Sequence, residues 1–134
     1  PIDGDPTDIQ RIAELGKKGL LALYCDSTNV ERPGYSISER EVGDTFVRIF
    51  GQVSGRIIVA TFASNLHRVQ QIIYAAERYN RKVALSGRSM MNNVKIASDL
   101  GYLKVKNNTL IEMKNIKNYA DDEIVVLSTG TQGK

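Results

Sequence analysis

The chain has one histidine, one cysteine and no apolar run approaching the ~20 residues that cross a bilayer, and each scarcity excludes a class of function. His67 and Cys25, with no H-x-H or H-x-x-x-H spacing anywhere, cannot furnish the three or four ligands of a zinc shell. One cysteine forms no internal disulfide. Cys25 closes an apolar run, so it reads as a buried thiol in a reducing compartment, and as core in preference to nucleophile. No basic, apolar, small-residue leader stands at the start, so the expected location is cytoplasmic, with no membrane partner. The opening residues Pro1-Ile2-Asp3-Gly4-Asp5-Pro6 carry no initiator methionine and read as the interior of a longer protein.

The common nucleotide fingerprints are missing too. No strand-like run is followed by G-x-G-x-x-G, which argues against a nicotinamide or flavin site. Ser128-Thr129-Gly130-Thr131-Gln132-Gly133-Lys134 approaches a P-loop but has serine where the motif needs its first glycine. No nucleophile elbow is present, and a Ser-His-Asp set built on Asp26 and His67 has no distinguishing spacing.

What the sequence does hold is enough for one domain with a real core: 134 residues, 42% hydrophobic and 25% charged. The net charge of +3 is unevenly spread. Residues 1–67 carry seven Lys/Arg against nine Asp/Glu, and residues 68–134 carry eleven against six. The basic second half permits a polyanionic partner, although lysine-rich helix faces are also ordinary solvated surface.

Four continuous apolar runs read as buried strands of a mainly parallel sheet: Leu20–Cys25, Ile57–Phe62, Val83–Leu85 and Ile124–Leu127. Helices are expected between them. Asp5-Pro6-Thr7-Asp8 starts one that carries Ile9, Ile12, Ala13 and Leu15. Ser38 and Glu41 form a capping box before Val42, Phe46, Ile49, Phe50 and Val53. Ser64 caps a helix over 65–79, and Ser89 caps one bearing Met90, Val94, Ala97 and Leu100, stopped by Gly101. Pro33-Gly34 marks a loop over 30–37, and residues 102–123 suggest a turn with a short amphipathic helix through Met113, Ile116 and Tyr119. The fold class is α/β, a three-layer α/β/α domain with at least four strands, and residues 1–134 are expected to form one domain.

Each buried run ends in small hydroxylated, amide or glycine residues: Asp26-Ser27-Thr28-Asn29, Ser64-Asn65, Ser86-Gly87-Arg88-Ser89 and Ser128-Thr129-Gly130-Thr131. In parallel sheets ligands bind beyond the strands' carboxyl ends, so these four loops can build one site. Arg88 offers a forked donor to phosphate oxygens, Ser64, Asn65 and Ser89 lie at helix starts, and Gly130 lets backbone amides come close. His67, in the first turn of its helix, is disfavoured as a cation there unless an anion joins it. If the two strands concerned are neighbours, these groups converge. The plainer reading, that every βα turn needs caps and glycines, accounts for part of the pattern.

The runs Leu23-Tyr24-Cys25-Asp26-Ser27-Thr28-Asn29, Phe62-Ala63-Ser64-Asn65-Leu66-His67-Arg68, Ser86-Gly87-Arg88-Ser89-Met90 and Ser128-Thr129-Gly130-Thr131-Gln132-Gly133, in this order, resemble the β-CASP domain of bacterial ribonuclease J. The resemblance covers nearly the whole chain and implies a Rossmann-like β-CASP domain inserted in a metallo-β-lactamase fold, the two forming a zinc-dependent ribonuclease with 5′-to-3′ exonucleolytic and some endonucleolytic activity. It further implies that the zinc ligands lie outside this chain, so the chain alone is inactive and holds no cofactor. Asp26 matches an acidic residue that orients a catalytic histidine of the parent enzyme. Ser64, Asn65, His67, Arg88, Ser89, Thr129, Gly130 and Thr131 fall in the region that receives single-stranded RNA with a 5′-monophosphate. The resemblance also admits a homo-oligomeric parent. In the family the last motif continues Gly-Glu-Pro, whereas here Gly133 is followed by Lys134. The rival readings are a module binding a mononucleotide or sugar phosphate on the same loops, and an assembly domain whose basic face meets another protein.

Overall fold

In the computed structural model, residues 7–34 and 38–130 are described, and they divide into one unit up to Ser38 and another from Glu39 onward. In the first, Asp8 opens helix α1 (Ile9–Lys18): its carboxylate accepts the Arg11 backbone N–H at 2.8 Å, satisfying one of the orphan donors of the first turn. The Asp5-Pro6 part of the expected start lies outside the described residues. Ile9 and Ile12, the apolar stripe of α1, are exposed.

Leu20–Cys25 corrects a sequence expectation. The run forms no strand, Leu21, Leu23 and Tyr24 are exposed, and so is the Cys25 thiol that had been expected in the core. The physical reason is that apolar composition gives only a preference for burial, here without a single β-branched residue to favour the strand, and a strand needs a ladder partner to be realised. Among the described residues this segment has none.

The second unit is built on a four-stranded sheet of β1 (Ile57–Ala60), β2 (Lys82–Ser86), β3 (Leu110–Ile111) and β4 (Ile124–Ser128), all parallel, in the order β1-β4-β2-β3. Three of these strands are the apolar runs expected from the sequence. The fourth, β3, lies in the stretch without a clear period, because two residues are too short to show one. Side chains alternate between the faces. Ile57, Val83, Val125 and Leu127 join a core with Phe50 of α2 (Glu39–Gln52), with Val69, Ile72, Ile73 and Ala76 of α3 (Leu66–Arg78), and with Met90, Val94 and Ala97 of α4 (Arg88–Asp99). On the other face Ala84 and Ile124 pack with Ile116, which sits in a 3₁₀ helix over Met113–Asn118 where a short amphipathic helix was expected. Helices, sheet and 3₁₀ turns make three layers. Leu100, expected on the apolar face of α4, is exposed, since the helix ends at Asp99 and Leu100 is already its C-terminal cap.

Polar clamps fix the helices to the loops. Gln70 exchanges two hydrogen bonds with the backbone of Lys104, at 2.7 and 2.9 Å, and Glu77 accepts the Lys106 N–H at 2.7 Å and the Thr109 hydroxyl at 2.9 Å. Arg81, buried at the start of β2, donates to the carbonyls of Gly55 (2.8 Å) and Val53. Those carbonyls lie between α2 and β1, so one guanidinium ties the lead-in of the edge strand β1 to the start of β2.

Candidate functional site

β1, β4 and β2 end level: Ala60 is in register with Ser128, and Ser128 with Ser86. The chain leaves this edge at Thr61, Gly87 and Thr129, and Thr61 adds one more rung by donating its N–H to the Ser128 carbonyl at 3.0 Å. Because β4 separates β1 from β2, the strands leading to Ser64 and to Arg88 are not neighbours. The two βα junctions flank the Thr129-Gly130 turn, about 10 Å apart at the usual strand spacing.

Both helix starts differ by one or two residues from the sequence expectation. Asn65, not Ser64, caps α3: its Oδ1 accepts the Arg68 N–H at 3.1 Å. Asparagine and serine are equally good caps, and which one serves is decided by where helical dihedrals begin, which the periodicity of Val69 and Ile73 leaves open by a residue. Ser64 is therefore an exposed residue preceding the cap, and His67 is the second helical residue, also exposed. Gly87, not Ser89, caps α4. Its φ of 97° belongs to glycine, so Arg88 becomes the first helical residue and Ser89 the second, both exposed.

Two contacts tie the junctions together. A Cβ built on Gly87 would stand 3.2 Å from the Thr129 hydroxyl, so the β2–α4 junction lies directly against the end of β4. The Asn93 side-chain amide donates to the Ala63 carbonyl at 3.1 Å and reaches from α4 to the β1–α3 junction. Asn93 was not legible in the sequence, because an asparagine inside a helix carries no signal of its partner. Thr61 was likewise missed; its hydroxyl is buried and has no hydrogen-bond partner among the described residues. A cleft of about 250 Å³ opens beside Ser64, with Leu66, Asn93 and Tyr102 in its wall.

The charges are sorted unequally. Arg68, next to His67, is engaged by Glu39 of α2, whereas Arg88 has no ion pair or hydrogen bond among the described residues. The edge thus presents Arg88, His67, the hydroxyls of Ser64, Ser89 and Thr129, and the amides of two helix starts, a donor-rich set suited to an anion. Thr131 lies outside the described residues. No group of three or more His, Cys, Asp or Glu among the described residues could hold a metal ion, so these residues do not fit a zinc site. No helix among them is long and apolar enough to cross a membrane.

Asp26 belongs to the first unit. Its Oδ1 accepts the Thr28 hydroxyl at 2.5 Å and the Thr28 N–H at 2.9 Å, and these two bonds, the hydroxyl first, hold the carboxyl below its ordinary pKa. The loop turns on through Val30 N–H to Ser27 O and Arg32 N–H to Asn29 O, both at 3.0 Å.

The family model described as "Ribonuclease J, beta-CASP domain" matches residues 54–134. All 134 residues align with proteins named ribonuclease J, at 46% identity in Thermus thermophilus, 48% in Mycobacterium tuberculosis and 42% in Helicobacter pylori. The chain spans 23%, 24% and 19% of those proteins. On the match of the family model and of these relatives, the chain belongs to the ribonuclease J β-CASP family.

Proposed function

We propose that this chain is the RNA-binding β-CASP part of a ribonuclease that acts in RNA processing and decay, and that it receives the 5′-monophosphate end of single-stranded RNA at the carboxyl edge of its sheet. In this reading residues 1–134 are one domain of a longer, cytoplasmic enzyme whose metallo-β-lactamase domain holds zinc and performs exonucleolytic and endonucleolytic cleavage. The chain alone cleaves nothing.

The observation that supports it is the donor set around Thr129, in a chain of this family: one unengaged guanidinium, Arg88, beside two helix starts and three hydroxyls. A terminal phosphate carries close to two charges and three acceptor oxygens, which a guanidinium fork and helix-start amides match. Arg88 binds the phosphate, His67 of α3 and Ser64 just before its cap approach from the other junction, Asn65 holds that turn, and Ser89, Thr129 and Gly130 complete the pocket. Asp26 orients a catalytic histidine supplied by the rest of the enzyme.

The test is the dependence of binding on length and salt. Single-stranded RNA should bind with a slope of log affinity against log salt above that of one phosphate contact, about 0.7 per contact on a single strand. Saturation by a mononucleotide with no gain from longer RNA would instead assign the edge to a small phosphorylated molecule.

A further inference from the structure

Arg68 lies in the first turn of α3, beside His67, yet it does not serve the sheet edge. Its guanidinium is bound to the carboxylate of Glu39, the first residue of α2, through Nε to Oε2 at 3.2 Å and through Nη2 to Oε1. One turn on, the Gln71 side-chain amide donates to the Glu39 carbonyl at 2.7 Å. Gly43 makes room for that contact, since a Cβ there would sit 3.1 Å from Cδ of Gln71. The start of α2 is thus fastened to the first turn of α3, and the guanidinium next in sequence to His67 is already engaged by a carboxylate. The Glu39 carboxylate is itself favoured at its helix N-terminus, which makes the arrangement lopsided in favour of holding Arg68 there.

We propose that Glu39 determines specificity at the phosphate pocket: by holding Arg68 on α2 it keeps a second guanidinium out, and so sets the edge for a terminal monophosphate over a triphosphate. The inference rests on the RNA 5′-end reading above. Arg88 together with the helix starts matches the charge of a monophosphate, while a triphosphate, with more charge and more oxygens, needs further cations. Arg68, one residue from His67, is the nearest one in sequence, and Glu39 withholds it. The pair is about a third exposed on each side, so its removal leaves the core contacts of α2 and α3 intact.

The experiment compares 5′-triphosphorylated, 5′-monophosphorylated and 5′-hydroxyl RNA of one sequence, by fluorescence anisotropy, on the wild-type chain, Glu39→Gln, Arg68→Gln and the double variant, with circular dichroism to check folding. Glu39→Gln should bind triphosphorylated RNA on the order of tenfold more tightly, the size of one charge-assisted contact, and change monophosphorylated RNA by less than about threefold. Arg68→Gln should leave monophosphorylated RNA unchanged, and the double variant should lose the gain. An unchanged triphosphate affinity in folded Glu39→Gln, or a tenfold loss for monophosphorylated RNA in Arg68→Gln, overturns the proposal. A wild-type chain blind to the 5′ group removes the 5′-end reading and this inference together; a wild-type chain that prefers the monophosphate, with Glu39→Gln indifferent, removes this inference alone.

Discussion

Gly87 stands so close to Thr129 that a Cβ added to it would lie 3.2 Å from the threonine hydroxyl, in a backbone conformation with φ of 97°. The end of β2 and the end of β4 therefore share a junction in which a side chain at Gly87 would make Thr129 give way and would hold a left-handed backbone. Gly87→Ala should lower stability by about 1 to 3 kcal/mol, the cost of a non-glycine residue in that region of dihedral space. Urea unfolding measures it; a midpoint equal to wild type would mean that the junction relaxes freely and does not fix Arg88.

Asn65 and Ser64 separate the observed cap from the expected one. Asn65→Ala should destabilise by about 1 kcal/mol, because the Arg68 N–H loses its acceptor, and Ser64→Ala should be neutral in stability. Thermal unfolding of the two variants side by side decides it. The reverse order would return the cap to Ser64.

Much of the second unit was legible in the sequence for a definite reason: Val83–Leu85 and Ile124–Leu127 are covered on both faces of the sheet, so their apolar runs carry no polar alternation, while Ile57–Ala60, at the sheet's edge, is an apolar run all the same although its Ile58 is exposed. The same rule misassigned Leu20–Cys25, since composition states a preference for burial and says nothing of the partner that would provide it. At the site, the residue types at the edge were readable from βα-turn chemistry. Strand order was not, because β1-β4-β2 pairing is a long-range fact, and Asn93 and Glu39 act through contacts 30 and 29 residues away in sequence. Helix starts slipped because Ser64-Asn65 and Gly87-Arg88-Ser89 each offer more than one competent cap.

Asp26 titrates below its ordinary value because the Thr28 hydroxyl and N–H stabilise the carboxylate. A depressed value in the folded turn means that this contribution is fully present above the ordinary value of 3.8 and is lost as pH falls through the depressed one. Thr28→Val should move the Asp26 carboxyl back upward, as read from its side-chain carbon in an NMR titration. No movement would leave the lowering without its first cause.

The most direct test of the central claim is the affinity of Arg88→Ala for two RNAs of one sequence, one with a 5′-monophosphate and one with a 5′-hydroxyl. Loss of a charge-assisted contact to the terminal phosphate should weaken the first by about 2 to 3 kcal/mol and leave the second nearly unchanged. Equal weakening of both would make Arg88 part of a general track for the RNA backbone and contradict a 5′-phosphate pocket at the edge formed by β1, β4 and β2.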